Sequence, residues 1–205
     1  MLWIGLTGGI ACGKSTVSAA LRKRGLCVID ADQLAREVVA RGSAGLAEIA
    51  AAFGPESLDA RGELDRKRLG ALVFADAGAR TRLNAIVHPR IASRAAAERD
   101  AAQARGEWVA FYDAALIVEN GLQRDMHGLI VVESTRERQI ERLVQRDGLD
   151  RRQAEARLAA QLDPAERRAA ATWLIDNDGE WSAAERQLDA ILDELSARWQ
   201  AEAKH

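Results

Sequence analysis

Cysteine is scarce in this sequence, which contains only Cys12 and Cys27. Two cysteines cannot build a disulfide framework for a chain of this length, so both are expected to be free thiols. The formal net charge is only −2, which excludes a strong overall field for attracting nucleic acid or an anionic membrane. No apolar run reaches the ~20 residues that a membrane span needs. These absences predict a cytoplasmic protein with no nucleic-acid or membrane partner.

The pattern of apolar residues predicts the fold class. The 205 residues suffice for one packed core with small insertions. Short apolar runs alternate with segments of helical periodicity, which is typical of a parallel sheet covered by helices on both faces. The five runs predicted to form strands are residues 2–6, 26–29, 108–112, 129–132 and 173–175. The chain is therefore predicted to be an α/β protein with a five-stranded sheet.

Two long segments without strand patterns are predicted to be helical insertions. In the first, residues 34–105, Asp65 fits a helix N-cap and Pro89 indicates a break between two helices. The second, residues 135–171, is dense in arginine. The tail, residues 182–204, has apolar residues at the spacing of a helix packed on the core. The rest of the chain, residues 1–33, 106–134 and 172–205, is predicted to form the core.

A phosphate-binding loop is the most specific motif in the chain. Residues 8–15 read Gly-Gly-Ile-Ala-Cys-Gly-Lys-Ser and fit G-x-x-x-x-G-K-[ST], between a predicted strand and a predicted helix. Glycines let backbone N–H groups turn toward phosphate oxygens, and the helix N-terminus adds its positive dipole end. Lys14 is expected to reach the β- and γ-phosphates of ATP, and Ser15 to ligate Mg²⁺. The residues predicted to contact the nucleotide here are Gly9, Ile10, Ala11, Cys12, Gly13, Lys14, Ser15 and Thr16.

Carboxylates follow two of the predicted strands. Asp30 and Asp32 stand two residues apart at the end of the second strand, so both can face a cleft beside the phosphates. A kinase needs one carboxylate to orient the acceptor hydroxyl and accept its proton, and Asp32 is predicted to be this base. Asp30 either supports it or joins the Mg²⁺ shell, and the alternative role for either aspartate is to cap the next helix. Asp113 ends an apolar strand in the manner of a Walker B element and is predicted to ligate Mg²⁺.

Arginines of the second insertion are candidates for stabilising charge on the transferred phosphate. Arg142 and Arg146 are four residues apart on one helical face, and Arg157 and Gln161 form a similar pair. Their position after the fourth strand predicts a mobile lid in which Arg142 and Arg146 contact the nucleotide. In the first insertion, the proline after His88 restrains this residue, which is as consistent with a place at the acceptor site as with a structural role.

Taken together, these motifs resemble those of the dephospho-CoA kinase family over almost the whole chain. The P-loop alone is common to many families, whereas its combination with Asp-Ala-Asp and His-Pro is specific. The segments that carry the resemblance are residues 5–17, 29–32 with Arg36, 83–89, 113–119, 139–146 and 175–177.

The resemblance implies a P-loop NTPase core, an acceptor-binding insertion and a lid, with ATP as phosphate donor and dephospho-CoA as acceptor. Asp32 would be the catalytic base, and Lys14 and Arg142 would stabilise the transition state. Arg36 and His88 would bind the acceptor together with Asp32. Arg146 would contact the nucleotide, and Asn177 would lie near its adenine. A monomer or a weak homo-oligomer is expected.

The chain departs from the family pattern in three places. Ala115 stands where proline is usual, and the region of Thr172 lacks the usual acidic residue. Ala11 and Cys12 replace the common Gly-Ser of the P-loop. The first two departures affect the expected loop geometry and nucleotide contacts, and none of the three replaces Lys14, Ser15 or Asp32.

Other functions are also consistent with a P-loop. A small kinase acting on a nucleoside monophosphate, shikimate or gluconate shares the P-loop and the lid. A GTP-dependent switch would need an N-K-x-D guanine motif, which the chain lacks. An ATP-binding module without turnover would have no use for the paired carboxylates of the second strand.

Overall fold

The computed structural model describes residues 1–202, which form two compact units. One unit consists of Met1–Ile29 together with the chain from Ala102 onward, and the other is Asp30–Ala101. The predicted end of the last helix at residue 204 lies outside the described residues. Neither cysteine forms a disulfide bond, and Cys12 is buried whereas Cys27 is half-buried. Within residues 1–202 no helix combines the length and the apolar character needed to cross a membrane.

A five-stranded sheet forms the centre of the first unit. Its strands in chain order are β1 (Leu2–Gly8), β2 (Cys27–Asp30), β3 (Val109–Asp113), β4 (Gly128–Glu133) and β5 (Trp173–Asp176). Their order across the sheet is β2-β3-β1-β4-β5, in which β1 pairs in parallel with β3 and β4, and β4 pairs in parallel with β5. Every residue of β1 and β3 is buried, as expected for strands covered on both faces. The predicted α/β class is confirmed.

The helices follow the predicted alternation with strands. In chain order they are α1 (Lys14–Lys23), α2 (Ala31–Glu37), α3 (Ala44–Phe53), α4 (Arg66–Ala75), α5 (Ala77–Ala104), α6 (Arg136–Asp147), α7 (Arg151–Ala159), α8 (Pro164–Ala170) and α9 (Trp181–Glu202). Short 3₁₀ turns occur at Pro55–Ser57 and Leu122–Asp125.

The long helix α9 packs on the core of the first unit. Leu188, Ile191 and Leu195 are buried in the same apolar cluster as the side chains of the central strands, and Leu192 and Trp199 pack against its margin. These five residues are the apolar stripe of the predicted tail helix. Because the stripe is covered by the sheet, it contributes to the core of this unit.

A second, smaller apolar cluster joins α6 and α7 to the phosphate-binding loop. Ile140, Leu143 and Ala154 are buried in it, and Ile10 and Ala11 pack against them. The arginine-rich segment is thus held to the loop by apolar contacts as well as by polar ones.

The second unit contains α2, α3, α4 and most of α5 around an apolar cluster of its own. Its buried members are Val39, Ile49, Leu69 and Ile86. Asp65 is the N-cap of α4 and accepts a hydrogen bond of 2.9 Å from the backbone N–H of Arg68, which confirms the predicted cap.

The predicted helix break at Pro89 is wrong, because α5 continues through this residue. A proline inside a helix cannot donate to the carbonyl four residues before it, here that of Ala85. The neighbouring carbonyl of Ile86 accepts a hydrogen bond of 2.6 Å from the Arg90 guanidinium, which also pairs with Glu48. Ala85 and Pro89 are both exposed, and the packing of the buried Ile86 on the apolar cluster outweighs the local cost of the proline.

The burial of Phe111 gives a direct test of the sheet core. Phe111 is 0% exposed in β3, whereas Phe74 in α4 is 89% exposed. We expect Phe111→Ala to lower the free energy of unfolding by about 3–5 kcal/mol, because it removes a buried ring and leaves a cavity. The control Phe74→Ala should change it by no more than about 0.5 kcal/mol. Urea titration followed by circular dichroism measures both, and equal effects would contradict this view of the core.

Candidate active site

The phosphate-binding loop lies between the end of β1 and the start of α1, in the middle of the sheet. Within the loop, the Cys12 N–H donates to the Gly9 carbonyl at 3.2 Å, and the Thr16 N–H donates to the Gly13 carbonyl at 2.9 Å. Gly13 is the N-cap of α1, and no side chain caps this helix. The N-terminus of α1 therefore presents its amides and its dipole to an anion.

The backbone of the loop adopts conformations that restrict its residues. Gly13 has a φ of 95°, and a Cβ at this position would overlap the side-chain amide of Asn177. Ala11 has a φ of 57° and is the sole non-glycine residue among residues 1–202 in the left-handed region. The left-handed conformation costs a residue with a Cβ about 1–2 kcal/mol. This strain is a physical reason why glycine suits position 11, where this chain carries alanine.

Asn177 braces the loop from the end of β5. Its side-chain amide donates to the Cys12 carbonyl at 2.9 Å, and its backbone N–H donates to the Glu133 carbonyl at 2.8 Å. The residue is buried. Sequence reasoning assigned Asn177 to the neighbourhood of the adenine, and the contact seen here is with the loop backbone.

Lys14 and Asp113 form an ion pair beside the loop. The Lys14 ammonium donates to a carboxylate oxygen of Asp113, which is buried at the end of β3. Strand register sets this contact, since Asp113 lies opposite Leu6 of β1, two residues before the loop begins. The predicted phosphate-binding cation and the predicted metal ligand are thus neighbours.

The residues present fit a magnesium ion. Ser15 is exposed in the first turn of α1 and carries a hydroxyl, and Asp113 carries a carboxylate. Mg²⁺ prefers oxygen ligands and takes few of them from the protein, since water and phosphate complete its shell. No group of three or more His, Cys, Asp or Glu residues suited to a metal occurs in the described part of the chain. A site of the P-loop kind does not depend on such a group.

Arg142 of α6 contacts the loop directly. Its guanidinium donates to the Ala11 carbonyl at 3.1 Å and to the Asn177 carbonyl at 2.8 Å. Arg146, one turn later, instead forms an ion pair with Asp147 in solvent, and Arg157 pairs with the same carboxylate. Of the arginines predicted to serve the nucleotide, the structure brings Arg142 alone to the loop.

Three side chains that sequence reasoning did not assign to the nucleotide site also reach the loop. Gln139 donates to the Ile10 carbonyl at 2.8 Å, and Gln161 accepts from the Ile10 N–H at 2.9 Å. Arg167 of α8 is buried with one guanidinium nitrogen beside Gly9. Gln139 could have been found from its place one turn before Arg142 on the same face of α6. Nothing in the sequence distinguishes Arg167 from its many arginine neighbours.

The predicted acceptor residues belong to the second unit. Asp30 is the N-cap of α2, and its carboxylate accepts from the N–H groups of Asp32 and Gln33 at 2.9 and 3.1 Å. Of the roles left open for Asp30, capping is therefore the one observed. Asp32 and Arg36 are exposed on α2, and His88 is exposed on α5.

Two departures from the family pattern keep a hydrogen bond at their positions. The Thr172 hydroxyl accepts from the Leu129 N–H at 3.0 Å, so an oxygen acceptor is present without an acidic side chain. The Ala115 carbonyl accepts from the Thr7 hydroxyl at 3.1 Å. Both contacts fix loop geometry next to the sheet.

Comparison with known proteins places this site in a family. The sequence model of dephospho-CoA kinase matches residues 2–183. The chain belongs to the dephospho-CoA kinase family. A dephospho-CoA kinase of Anaeromyxobacter dehalogenans (strain 2CP-C) is 52% identical over 194 residues, which cover 94% of this chain and 91% of that protein. The resemblance inferred from the motifs is confirmed.

Solved structures agree with membership of the dephospho-CoA kinase family. A crystal structure of a Thermus thermophilus protein is similar with a TM-score of 0.80 and 36% identity, over 95% of this chain and 97% of that one. A dephospho-CoA kinase from Campylobacter jejuni has a TM-score of 0.66 and 26% identity, over 94% and 96% of the two chains. The matches extend over both units of this member of the dephospho-CoA kinase family.

Gly13 offers a test of the loop with a matched control. We expect Gly13→Ala to weaken ATP binding by at least about 100-fold, because displacing the loop from Asn177 removes one or two charged hydrogen bonds to phosphate. Gly25 also has a positive φ, 76°, but no atom lies within 4 Å of the place where its Cβ would stand. Gly25→Ala should cost about 1–2 kcal/mol of stability and leave ATP affinity unchanged. Isothermal titration calorimetry distinguishes the two, and similar ATP affinities would contradict the role of Gly13.

Proposed function

We propose that this protein transfers the γ-phosphate of ATP to the 3′-hydroxyl of the ribose of dephospho-CoA. The products are CoA and ADP, and the reaction is the last step of coenzyme A biosynthesis. The observation that carries the proposal is membership of the dephospho-CoA kinase family over residues 2–183, with the P-loop lysine and serine intact.

Residues of the first unit act on the phosphate donor. Loop amides of residues 9–13 other than those of Ile10 and Cys12, which donate to Gln161 and Gly9, bind the phosphates together with the N-terminus of α1. Lys14 exchanges part of its pairing with Asp113 for the β- and γ-oxygens. Ser15 and Asp113 would hold Mg²⁺, which would supply positive charge to neutralise the phosphates of ATP. Arg142 stabilises the charge that develops on the transferred group. Its two contacts with backbone carbonyls support this role, because they hold the guanidinium beside the loop.

Asp32 is the residue that acts on the acceptor hydroxyl. This carboxylate orients the attacking 3′-hydroxyl and accepts its proton during in-line attack on the γ-phosphate. Its availability is supported by the capping of α2, which uses the carboxylate of Asp30 and leaves that of Asp32 exposed. Arg36 and His88 bind the acceptor. Arg146 and Asn177 remain the other proposed nucleotide contacts.

The proposed division of labour follows three segments. The nucleotide-binding core is residues 1–33, 106–134 and 172–205, the acceptor-binding insertion is residues 34–105, and the lid is residues 135–171. Support comes from the compact unit Asp30–Ala101 and from the cluster that joins α6 and α7 to the loop. A lid that excludes water would suppress hydrolysis of ATP. A cytoplasmic location and a monomeric or weakly self-associating state remain predictions from the sequence.

A panel of acceptors tests the substrate. The protein is incubated with ATP and Mg²⁺, and ADP release is followed with dephospho-CoA, AMP, shikimate or gluconate as acceptor. We expect dephospho-CoA to stimulate ADP release at least about 100-fold more than the other acceptors, because a site built for one acceptor leaves polar groups unpaired with another. Equal stimulation by AMP or shikimate would refute the proposed acceptor.

Substitution of Asp32 tests the base. We expect Asp32→Asn to lower kcat by about 10²–10⁴-fold, since the amide cannot accept the proton, and to leave the dissociation constant for ATP unchanged. Asp100→Asn is the control, because Asp100 is an exposed aspartate of α5 that the mechanism does not use. Steady-state turnover of dephospho-CoA and calorimetric titration with ATP measure the two effects. Turnover close to that of the unaltered protein would exclude Asp32 as the base.

A further inference from the structure

Arg167 is a buried cation, one nitrogen of which has no hydrogen-bond partner in the described part of the chain. Only 6% of the residue is exposed. One terminal nitrogen donates to the Leu162 carbonyl at 2.8 Å, but the buried Nε has no hydrogen-bond acceptor among residues 1–202. The carboxylate of Glu119 lies 3.8 Å from Nε, which is longer than a hydrogen bond. Burying a charge is costly unless it is paired and hydrogen-bonded, so the arrangement lacks an acceptor.

The remaining end of this guanidinium lies against the phosphate-binding loop. Nη1 is 3.0 Å from the position that a Cβ on Gly9 would occupy, and Gln139 and Gln161 stand at 2.9 and 3.4 Å from the same position. Because Gly9 has no Cβ, the side chains of Arg167, Gln139 and Gln161 can all lie close to the loop at this position. The glycine permits a close approach of a fixed cation to the loop backbone.

The electrostatic effect on Cys12 shows that Arg167 lies near the loop together with Lys14 and Arg142. The charges of Lys14, Arg167 and Arg142 all act on the Cys12 thiol and oppose the burial that raises its pKa. Three positive side chains thus surround one short loop, and two carboxylates partly compensate them, since Asp113 pairs with Lys14 and Glu119 lies 3.8 Å from Arg167. An excess of positive charge at a P-loop is suited to a polyanion such as a triphosphate.

We propose that Arg167 is a nucleotide-binding residue that donates to a phosphate oxygen of ATP in the P-loop. This inference rests on the ATP-binding half of the proposed function and adds a residue to it. The Nη1 group beside Gly9 is the donor placed to reach a phosphate oxygen, because a charged arginine donor forms strong hydrogen bonds with phosphate. Because Arg167 belongs to α8, this contact would link α8 to the bound nucleotide.

A purely structural role for Arg167 would have different consequences. In that case Arg167 would serve to tie α8 to Leu162 and Glu119, and its removal would lower stability in the absence of nucleotide. Replacing a buried, incompletely paired charge by an apolar side chain of similar size is often neutral or stabilising. Arg167→Met is therefore expected to fold, with a melting temperature at or above that of the unaltered protein.

The test compares ligands that differ in phosphate content. ATP, ADP and adenosine are titrated by calorimetry into the unaltered protein, Arg167→Met, Arg167→Lys and Arg168→Gln. We expect Arg167→Met to weaken ATP binding by about 10- to 100-fold, the cost of a charged hydrogen bond, and to leave adenosine affinity unchanged. Arg167→Lys should recover only part of the ATP affinity, because it retains the cation but not the guanidinium. Arg168 is the matched control, since its exposed side chain pairs with Glu133, and its variant should bind ATP normally.

Three outcomes would overturn the inference. These are unchanged ATP affinity in Arg167→Met, an equal loss of ATP and adenosine affinity, and a lower melting temperature in Arg167→Met with a normal ATP-induced rise. Arg167→Gln is the second variant if Arg167→Met does not fold, and the same outcomes apply to it.

The assay of turnover separates this inference from the proposed function. If the unaltered protein fails to phosphorylate dephospho-CoA while ATP affinity still depends on Arg167, the proposed acceptor is wrong and the role of Arg167 stands. If the protein phosphorylates dephospho-CoA and Arg167→Met binds ATP normally, the function stands and the role of Arg167 is wrong.

Discussion

The backbone of residues 9–13 has to stay open to an anion, and much of the surrounding structure maintains that opening. A loop that turns amides outward cannot satisfy all of its own carbonyls by helix or sheet hydrogen bonds. Side chains from later elements do so instead: Gln139 bonds to Ile10, Arg142 to Ala11 and Asn177 to Cys12. The loop is therefore pre-organised by elements that lie more than a hundred residues away in sequence. Binding energy need not be used to order it when the nucleotide arrives.

Elements that pack against the loop also bring positive charge to it. Lys14 and Arg142 approach the loop from different elements, and Arg167 is buried against it. Asp113 partly compensates this charge through Lys14. Such fixed positive groups stabilise negative charge on a transferring phosphate without reorganisation at the moment of reaction. Cys12 packs its side chain in the apolar core while its carbonyl accepts from the side-chain amide of Asn177.

Sequence patterns were most informative where local chemistry dictates structure. Five apolar runs predicted the five strands, and the Asp65 cap was found from residue type alone. Patterns failed where distant residues decide. Pro89 does not interrupt α5, since packing of the helix on the apolar cluster of its unit outweighs the loss of one N–H donor. Arg146 shares a helical face with Arg142 but pairs with Asp147, because helical spacing fixes a direction only to within a turn and leaves the partner open.

The sequence by itself determined the fold class, the P-loop with Lys14 and Ser15, and the family to which the chain belongs. These features depend on short-range rules: apolar periodicity, glycine where the backbone turns, and residue types at fixed spacing. Only the tertiary structure decided that Arg167 rather than Arg146 lies buried at the loop, and that Asn177 braces it. The reason is that burial and pairing depend on how β5, α6 and α8 pack against the loop. The local sequence around an arginine does not show whether its side chain lies in solvent or beside a phosphate site.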